Sequence, residues 1–285
     1  MTKLKIACVQ VNAQLDMQAN VDQACALVRE AAAAGADLIG LPENVALMAA
    51  SEEDRLENAY RPADHPALKA FAEVAKECGI WLQAGSVAAL RADGALANHA
   101  FLFDDQGRWA ADYEKIHMFD VDLPDGSRYR ESSMFEPGGQ AVLAATPWGP
   151  LGMTICYDIR FPHLYRALGQ AGAGVIFAPA AFTRVTGQAH WHVLQRARAI
   201  ENGCFIVSAA QCGDHAEGRK TYGHSIIVAP WGEVLADGGE EPGVITAELD
   251  LSLVEQARSK VPSLTHDRPF AGPNTYGGTL SATGD

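Results

Sequence analysis

Ten short apolar segments, each seven or eight residues long, recur at 5–11, 37–43, 81–87, 98–104, 108–115, 149–156, 174–180, 204–211, 223–230 and 243–250. Their length and their content of Val, Ile, Leu and Phe suit strands. Segments with a different period lie between them. Val21, Ala24, Cys25, Val28, Ala31 and Ala32 share one helical face, as do Leu68, Phe71, Ala72, Ala75 and Cys78. Gly35 and Gly79 follow these stripes as stop signals. A helix between two strands is the usual crossover of a parallel sheet. The order is β-α-β-α-β, then hairpin-like strands, then β-α-β-α-β again, which defines an α/β class.

The reading is one unit over residues 1–268, in two halves with a break near the loop 118–140, followed by an arm over 269–285. The loop is long, charged and rich in Pro and Gly, the marks of a functional segment. The arm has no apolar pattern and reads as a loose segment docking on a partner subunit.

Charge excludes some partners. The formal net charge is −13, which opposes nucleic acid and anionic membrane surfaces. An anionic small molecule would need a local cluster of Arg or Lys. No apolar run reaches the roughly 18 residues of a membrane span, and the N-terminal apolar stretch reads as a strand, so the expected location is the cytoplasm. There are six cysteines, at 8, 25, 78, 156, 204 and 212, with no C-x-x-C pair. Cytosolic thiols are normally reduced, so disulfides and structural zinc are disfavoured. Cys8, Cys25, Cys78 and Cys204 read as core residues.

Cys156 stands apart. It ends an apolar segment and precedes a helix opening near Pro162, so it sits on a strand-to-helix turn, where a nucleophile is well presented beside backbone N–H groups. Glu43 ends 37–43 and Lys115 ends 108–115, at strand ends where α/β sites gather. Each residue taken singly also admits a plain structural role: core thiol, capping carboxylate, solvated lysine.

Together they carry a resemblance. The segments LPEN (41–44), YEKIHMFDVDLP (113–124) and ICYDIRFPHLYRAL (155–168), in that order, resemble the nitrilase superfamily of carbon–nitrogen hydrolases over nearly the whole chain. Residues 177–213 and 219–236 resemble its Nit branch. The implied fold is a four-layer α-β-β-α sandwich, usually paired as a homodimer or a higher homo-oligomer. The implied triad is Glu43, Lys115 and Cys156, with a second glutamate at Glu131, against which Glu136 competes. The resemblance implies an amidase working through a Cys thioester, without metal or organic cofactor. Deaminated glutathione is the first implied substrate, with 2-oxoglutaramate (the ω-amidase reaction) and N-carbamoyl amines as alternatives. A binding protein that retains the fold, or a thiol sensor, is the non-enzymatic alternative. A sensor wants a resolving cysteine nearby, and none lies within forty residues of Cys156.

For substrate contacts the reading names Tyr157, whose N–H would join Lys115 at the oxyanion, and Arg160, Phe182 and Thr186. Arg160 also reads as an ion-pair partner of Asp158, and Thr186 as the cap of the following helix. Arg128, Arg130 and Arg184 are other cations for a substrate carboxylate. A Cys–His pair would draw on His117, His163 or His224. His190 and His192, two apart on an expected helix, point away from each other and make a poor metal pair.

Overall fold

A computed structural model describes residues 3–49 and 51–272. Its elements in chain order are β1 (Lys3–Gln10), α1 (Met17–Ala33), β2 (Leu38–Gly40), α2 (Glu52–Glu57), α3 (Pro66–Cys78), β3 (Trp81–Leu90), β4 (Leu96–Phe103), β5 (Trp109–Glu114), β6 (Asp120–Asp122) and β7 (Arg128–Arg130). There follow β8 (Val142–Thr146), β9 (Gly149–Met153), α4 (Pro162–Gln170), β10 (Val175–Phe177), α5 (Arg184–Asn202), β11 (Phe205–Ser208), β12 (Cys212–Asp214), β13 (Lys220–Tyr222), β14 (Ile226–Val228), β15 (Val234–Asp237), β16 (Gly243–Asp250) and α6 (Ser252–Lys260).

All ten expected segments contain strands. Two six-stranded sheets result, ordered β16-β1-β2-β3-β4-β5 and β15-β14-β11-β10-β9-β8. Each has three parallel strands at its centre and antiparallel neighbours outside.

The period of two along β1 explains the layering. Leu4, Ile6 and Cys8 join the core between the sheets, with Met153 and Phe177 of the second sheet. Ala7 and Val9 face the opposite way and meet Val21, Ala24 and Val28 of α1 and Phe71 and Val74 of α3. Leu164 and Leu168 of α4 and Trp191 and Ala199 of α5 cover the second sheet. The order of layers is therefore α-β-β-α. The sheets come very close at Gly40, where an added Cβ would lie 2.6 Å from the Phe177 ring.

Local signals place the helix ends. Asp16 caps α1 by accepting from the Ala19 N–H at 3.0 Å. Pro66 opens α3, and Gly79 ends it in the left-handed region.

Several expectations change. The loop 118–140 carries the hairpin β6–β7 and a 3-10 turn at Glu131–Ser133. Segment 149–156 is strand only to Met153, and Cys156 opens a 3-10 turn, Cys156–Arg160. Arg160 ends that turn instead of starting α4. Thr183, not Thr186, caps α5. The strands β6, β7, β8, β12, β13 and β15 lie outside the ten expected segments. Cys8, Cys25 and Cys204 are buried as expected, Cys78 is half-buried, and all six cysteines are free thiols. Of the expected arm, residues 269–272 are exposed coil and 273–285 lie outside the described residues. No described helix is long and apolar enough to cross a membrane.

Candidate active site

Strands β1, β2, β3 and β5 run in one direction, as do β9, β10 and β11 in the facing sheet. The segments leaving their C-terminal ends converge, as in other parallel sheets. Glu43 follows β2, Lys115 follows β5, Cys156 follows β9 and Ala181 follows β10.

The backbone at Glu43 is held from several sides. Asn44 has φ 54°, a left-handed conformation that Asn tolerates. Its N–H donates to Ser86 Oγ at 3.2 Å. Gln211 Nε2 donates to the carbonyls of Glu43 and Asn44 at 3.1 and 3.3 Å. The irregularity in β3 between Gln83 and Ser86 makes room for this turn. At Gly85, φ +63°, a Cβ would sit 2.0 Å from the Pro42 carbonyl oxygen, so only glycine fits.

Cys156 also has positive φ, 46°, a strain of about 1–3 kcal/mol for a side-chain-bearing residue. Asp158, fully buried, holds the turn in place. Its Oδ2 accepts from the Ile155 N–H at 2.9 Å and from Tyr113 Oη at 2.7 Å. Its Oδ1 accepts from the His117 N–H at 3.1 Å and lies 2.7 Å from His117 Nδ1. Tyr113 and His117 flank Lys115. One carboxylate therefore ties the cysteine turn to the segment that carries the lysine.

Four side chains then meet. Glu43 Oε1 accepts from Lys115 Nζ at 2.9 Å and from Asn98 Nδ2 at 2.8 Å. Its Oε2 accepts from the Ala181 N–H at 2.8 Å. The Cys156 thiol stands beside the same carboxylate, whose charge raises it. Lys115 Nζ also donates to both Glu131 oxygens, at 2.9 and 2.8 Å. Glu131 accepts further from Asn98 Nδ2 at 3.0 Å and from the Phe119 N–H at 2.7 Å. Glu136 is exposed and takes no part in this network.

Burial and mutual charge set the proton positions. Burial would raise the Glu43 carboxyl, but the Lys115 charge and hydrogen bonds from Lys115 and Cys156 hold it below the ordinary carboxylate range. Burial would lower Lys115, but Glu131 and Glu43 hold it well above its usual value. Burial and the Glu43 charge push the Cys156 thiol far up, against the pull of Lys115. The resting arrangement is thus a neutral thiol beside a carboxylate that can accept its proton, with an ammonium within reach of both carboxylates.

Glu43, Lys115, Glu131 and Cys156 open into a cavity of about 620 Å³. Tyr157, Phe182 and Thr186 line it, together with Arg55, Phe119, Arg128, Tyr129, Arg130 and Arg219. Thr186 Oγ1 is 2.8 Å from Thr183 Oγ1. Tyr157 is the second residue of its turn, where a helical backbone leaves N–H groups without an internal acceptor.

Arg160 does not line the cavity. Its guanidinium lies behind the wall, 5.3 Å from the Phe182 ring and 5.8 Å from that of Tyr157, with Nη2 3.2 Å from His190 Nδ1. Nor does it pair with Asp158, which Ile155, Tyr113 and His117 already occupy. Arg184 lies 2.9 Å from Asp214. None of His117, His163 and His224 lines the cavity, which removes the Cys–His pairing. His190 and His192 do point apart, His192 toward Asp237 at 2.8 Å. Among the described residues, His192, His224 and Asp237 form a cluster of three potential metal ligands, but Asp237 is hydrogen-bonded to both imidazoles. Sequence reasoning missed Asn98, Arg55 and Arg219, for which no motif gives a signal.

The family profile described as carbon–nitrogen hydrolase matches residues 5–259. A deaminated glutathione amidase of Synechocystis is 42% identical over 265 residues, 91% of this chain and 96% of that protein. An omega-amidase, NIT2, of Xenopus tropicalis is 36% identical over 262 residues, 92% and 94% of the two chains. The crystal structure of Saccharomyces cerevisiae Nit3, a member of branch 10 of the nitrilase superfamily, superposes with TM-score 0.85 at 30% identity, covering 94% of this chain and 97% of that one.

Proposed function

The chain belongs to the carbon–nitrogen hydrolase family and acts on amides, and from that premise we propose that it hydrolyses deaminated glutathione through a thioester on Cys156. The observation that carries this reading is the single Glu43 carboxylate that holds the Lys115 ammonium at 2.9 Å and stands beside the Cys156 thiol at the cavity.

In this scheme Glu43 takes the thiol proton as sulfur attacks the amide carbonyl. The oxyanion is received by Lys115 and by the Tyr157 N–H. Glu43 then protonates the departing amine, here cysteinylglycine, as the C–N bond breaks. Water, losing a proton to Glu43, attacks the thioester, and collapse releases 2-oxoglutarate and returns the proton to sulfur. Glu131 and Asn98 hold Lys115 and Glu43 in register. The scheme needs no metal or organic cofactor.

Support for the larger substrate comes from the cavity, whose roughly 620 Å³ is ample for a tripeptide-sized molecule. The ω-amidase reaction on 2-oxoglutaramate uses the same acyl group and is the second reading, supported by the likeness to the Xenopus protein. We place the reaction in the cytoplasm, in keeping with six free thiols. We also take the working unit to be a homodimer. Val193 and Ile200 on α5, with Trp231 nearby in sequence to β14, expose 68%, 52% and 56% of their surfaces and offer a face for a second copy.

The test is 2-oxoglutarate release from deaminated glutathione and from 2-oxoglutaramate at matched concentrations, with wild type and Cys156→Ala. Faster release from deaminated glutathione, abolished in the variant, is the expected result. Preference for 2-oxoglutaramate moves the assignment to the ω-amidases, and no release from either overturns the substrate class.

A further inference from the structure

The three buried charges Glu43, Glu131 and Lys115 leave the inner site with one net negative charge. That field repels an anionic substrate, yet both candidate substrates carry a carboxylate on the acyl side. Some cation must face the cavity without being consumed by a protein partner.

The arginines can be sorted by what they already hold. Arg130 donates to both Asp122 oxygens at 2.9 Å, and Arg128 Nε lies 3.4 Å from the same carboxylate. Arg184 is taken by Asp214, and Arg160 lies behind the wall. Two remain. Arg55, on α2, lines the cavity with its guanidinium 5.0 Å from the Phe135 ring, and has no hydrogen-bond or ion-pair partner among the described residues. Arg219, just before β13, lines it from the other side, with its guanidinium 5.7 Å from the Tyr129 ring.

Arg219 is the more exposed chemically. Its Nε is buried and unpartnered, and its Nη2 reaches only the Ala181 carbonyl at 3.5 Å, the outer limit of a hydrogen bond. Ala181 is the residue whose N–H holds Glu43, so this guanidinium stands one peptide away from the reacting groups. Arg55 feels the charge of Arg219 and of both glutamates, which places it in the same electrostatic pocket. A buried guanidinium N–H without an acceptor is costly, and a planar fork is built for a carboxylate.

We infer that Arg55 and Arg219 form a clamp for the acyl-side carboxylate of the substrate, and that this clamp makes the enzyme select amides whose acyl chain ends in a carboxylate. The two cations turn the net charge of the site positive. The aromatic faces of Phe135 and Tyr129 hold the guanidinium planes in place. The inference rests on the reading that the substrate is an amide of a 2-oxo dicarboxylic acid.

The probe is a matched pair of amides, glutaramate and pentanamide, which differ in that a terminal carboxylate replaces a methyl group. Ammonia release gives kcat/KM for each, and the readout is their ratio. A ratio cancels any general effect of Arg219 on Glu43 or on folding. The ratio is expected to fall about 10- to 100-fold in Arg219→Gln and in Arg55→Gln, the loss typical of a hydrogen bond to a charged group. Arg219→Lys, which keeps the charge but not the fork, is expected to recover part of it. In parallel, binding of 2-oxoglutarate to Cys156→Ala by calorimetry is expected to weaken when Arg219→Gln is added. If wild type cleaves both 2-oxo amides while both arginine variants keep the wild-type ratio, the clamp is overturned and the substrate reading stands. If neither amide is cleaved but 2-oxoglutarate still binds in an Arg219-dependent way, the clamp stands and the substrate reading falls. If 2-oxoglutarate does not bind at all, the clamp is overturned.

Discussion

Lys115→Met removes the one cation between two buried carboxylates. Lys115 and Glu43 are 2% and 3% exposed, so water cannot replace the lost charge. Breaking a buried pair by deleting one partner costs about 3–5 kcal/mol, a large part of the ~5–15 kcal/mol that holds a typical protein folded. The pH dependence should also reverse. In wild type the Glu43 carboxyl is held below its ordinary range. Its contribution is present above the unfolded value of about 4.3 and is lost as pH falls through the depressed folded value. Lys115, held above its ordinary value, contributes fully below about 10.4 and loses its contribution only at higher pH. Without the lysine, burial and the neighbouring Glu131 push Glu43 upward instead. The folded variant then binds more protons than the unfolded chain above about pH 4.3, so its stability declines as pH rises toward neutrality. Urea denaturation at pH 5, 6, 7 and 8 measures this directly. The expected result is a variant closest to wild type at pH 5 and weakest at pH 8, with part of the deficit at pH 8 recovered by adding Glu131→Gln. A loss under about 1 kcal/mol with the wild-type pH slope, the behaviour of a solvated ion pair, would refute the reasoning. The same variant should lose about 10²–10³-fold in kcat through the missing oxyanion contact.

Two further outcomes follow from single contacts. Asn98→Leu deletes donors to Glu43 and Glu131, each bond worth about 1.5–3 kcal/mol because the acceptor is charged; kcat for 2-oxoglutarate release should fall with little change in KM, and an unchanged kcat counts against its holding role. Gly40→Val drives a side chain into the Phe177 ring and should lower stability by about 1–3 kcal/mol, and Phe177→Leu in the same chain should restore part of it in thermal unfolding.

Local pattern carried most of the architecture. The alternation in β1 already separates Leu4, Ile6 and Cys8 from Ala7 and Val9, and the stripes in α1 and α3 match the face that Ala7 and Val9 require. A strand or helix must bury one face, so its period records the layer on each side of it. At Glu43, Lys115 and Cys156 the segment ends offered candidates, and the resemblance of three motifs joined them into one site; strands that run the same way deliver those ends to one place. Glu131 was identified through the resemblance alone.

Arg160 shows where such reading stops. It lies four residues from Cys156 in sequence, yet the tight turn at Cys156 carries it behind the Phe182 ring. Arg55 sits in the charged segment EEDRLE, which reads as a solvated surface helix, and Arg219 sits in a polar turn. Asn98 reads as an ordinary polar residue in a strand. Arg55 and Arg219, more than a hundred positions apart, reach one cavity only through the fold, and Asn98 meets Glu43 and Glu131 below it. Periodicity reports only which neighbours along the chain share a face. The sequence by itself therefore determined most of the elements and the α/β class, and through its motifs the resemblance that implies the layers and the triad. Tertiary structure decided which cations remain free to hold a substrate, because that depends on every other carboxylate finding its partner first.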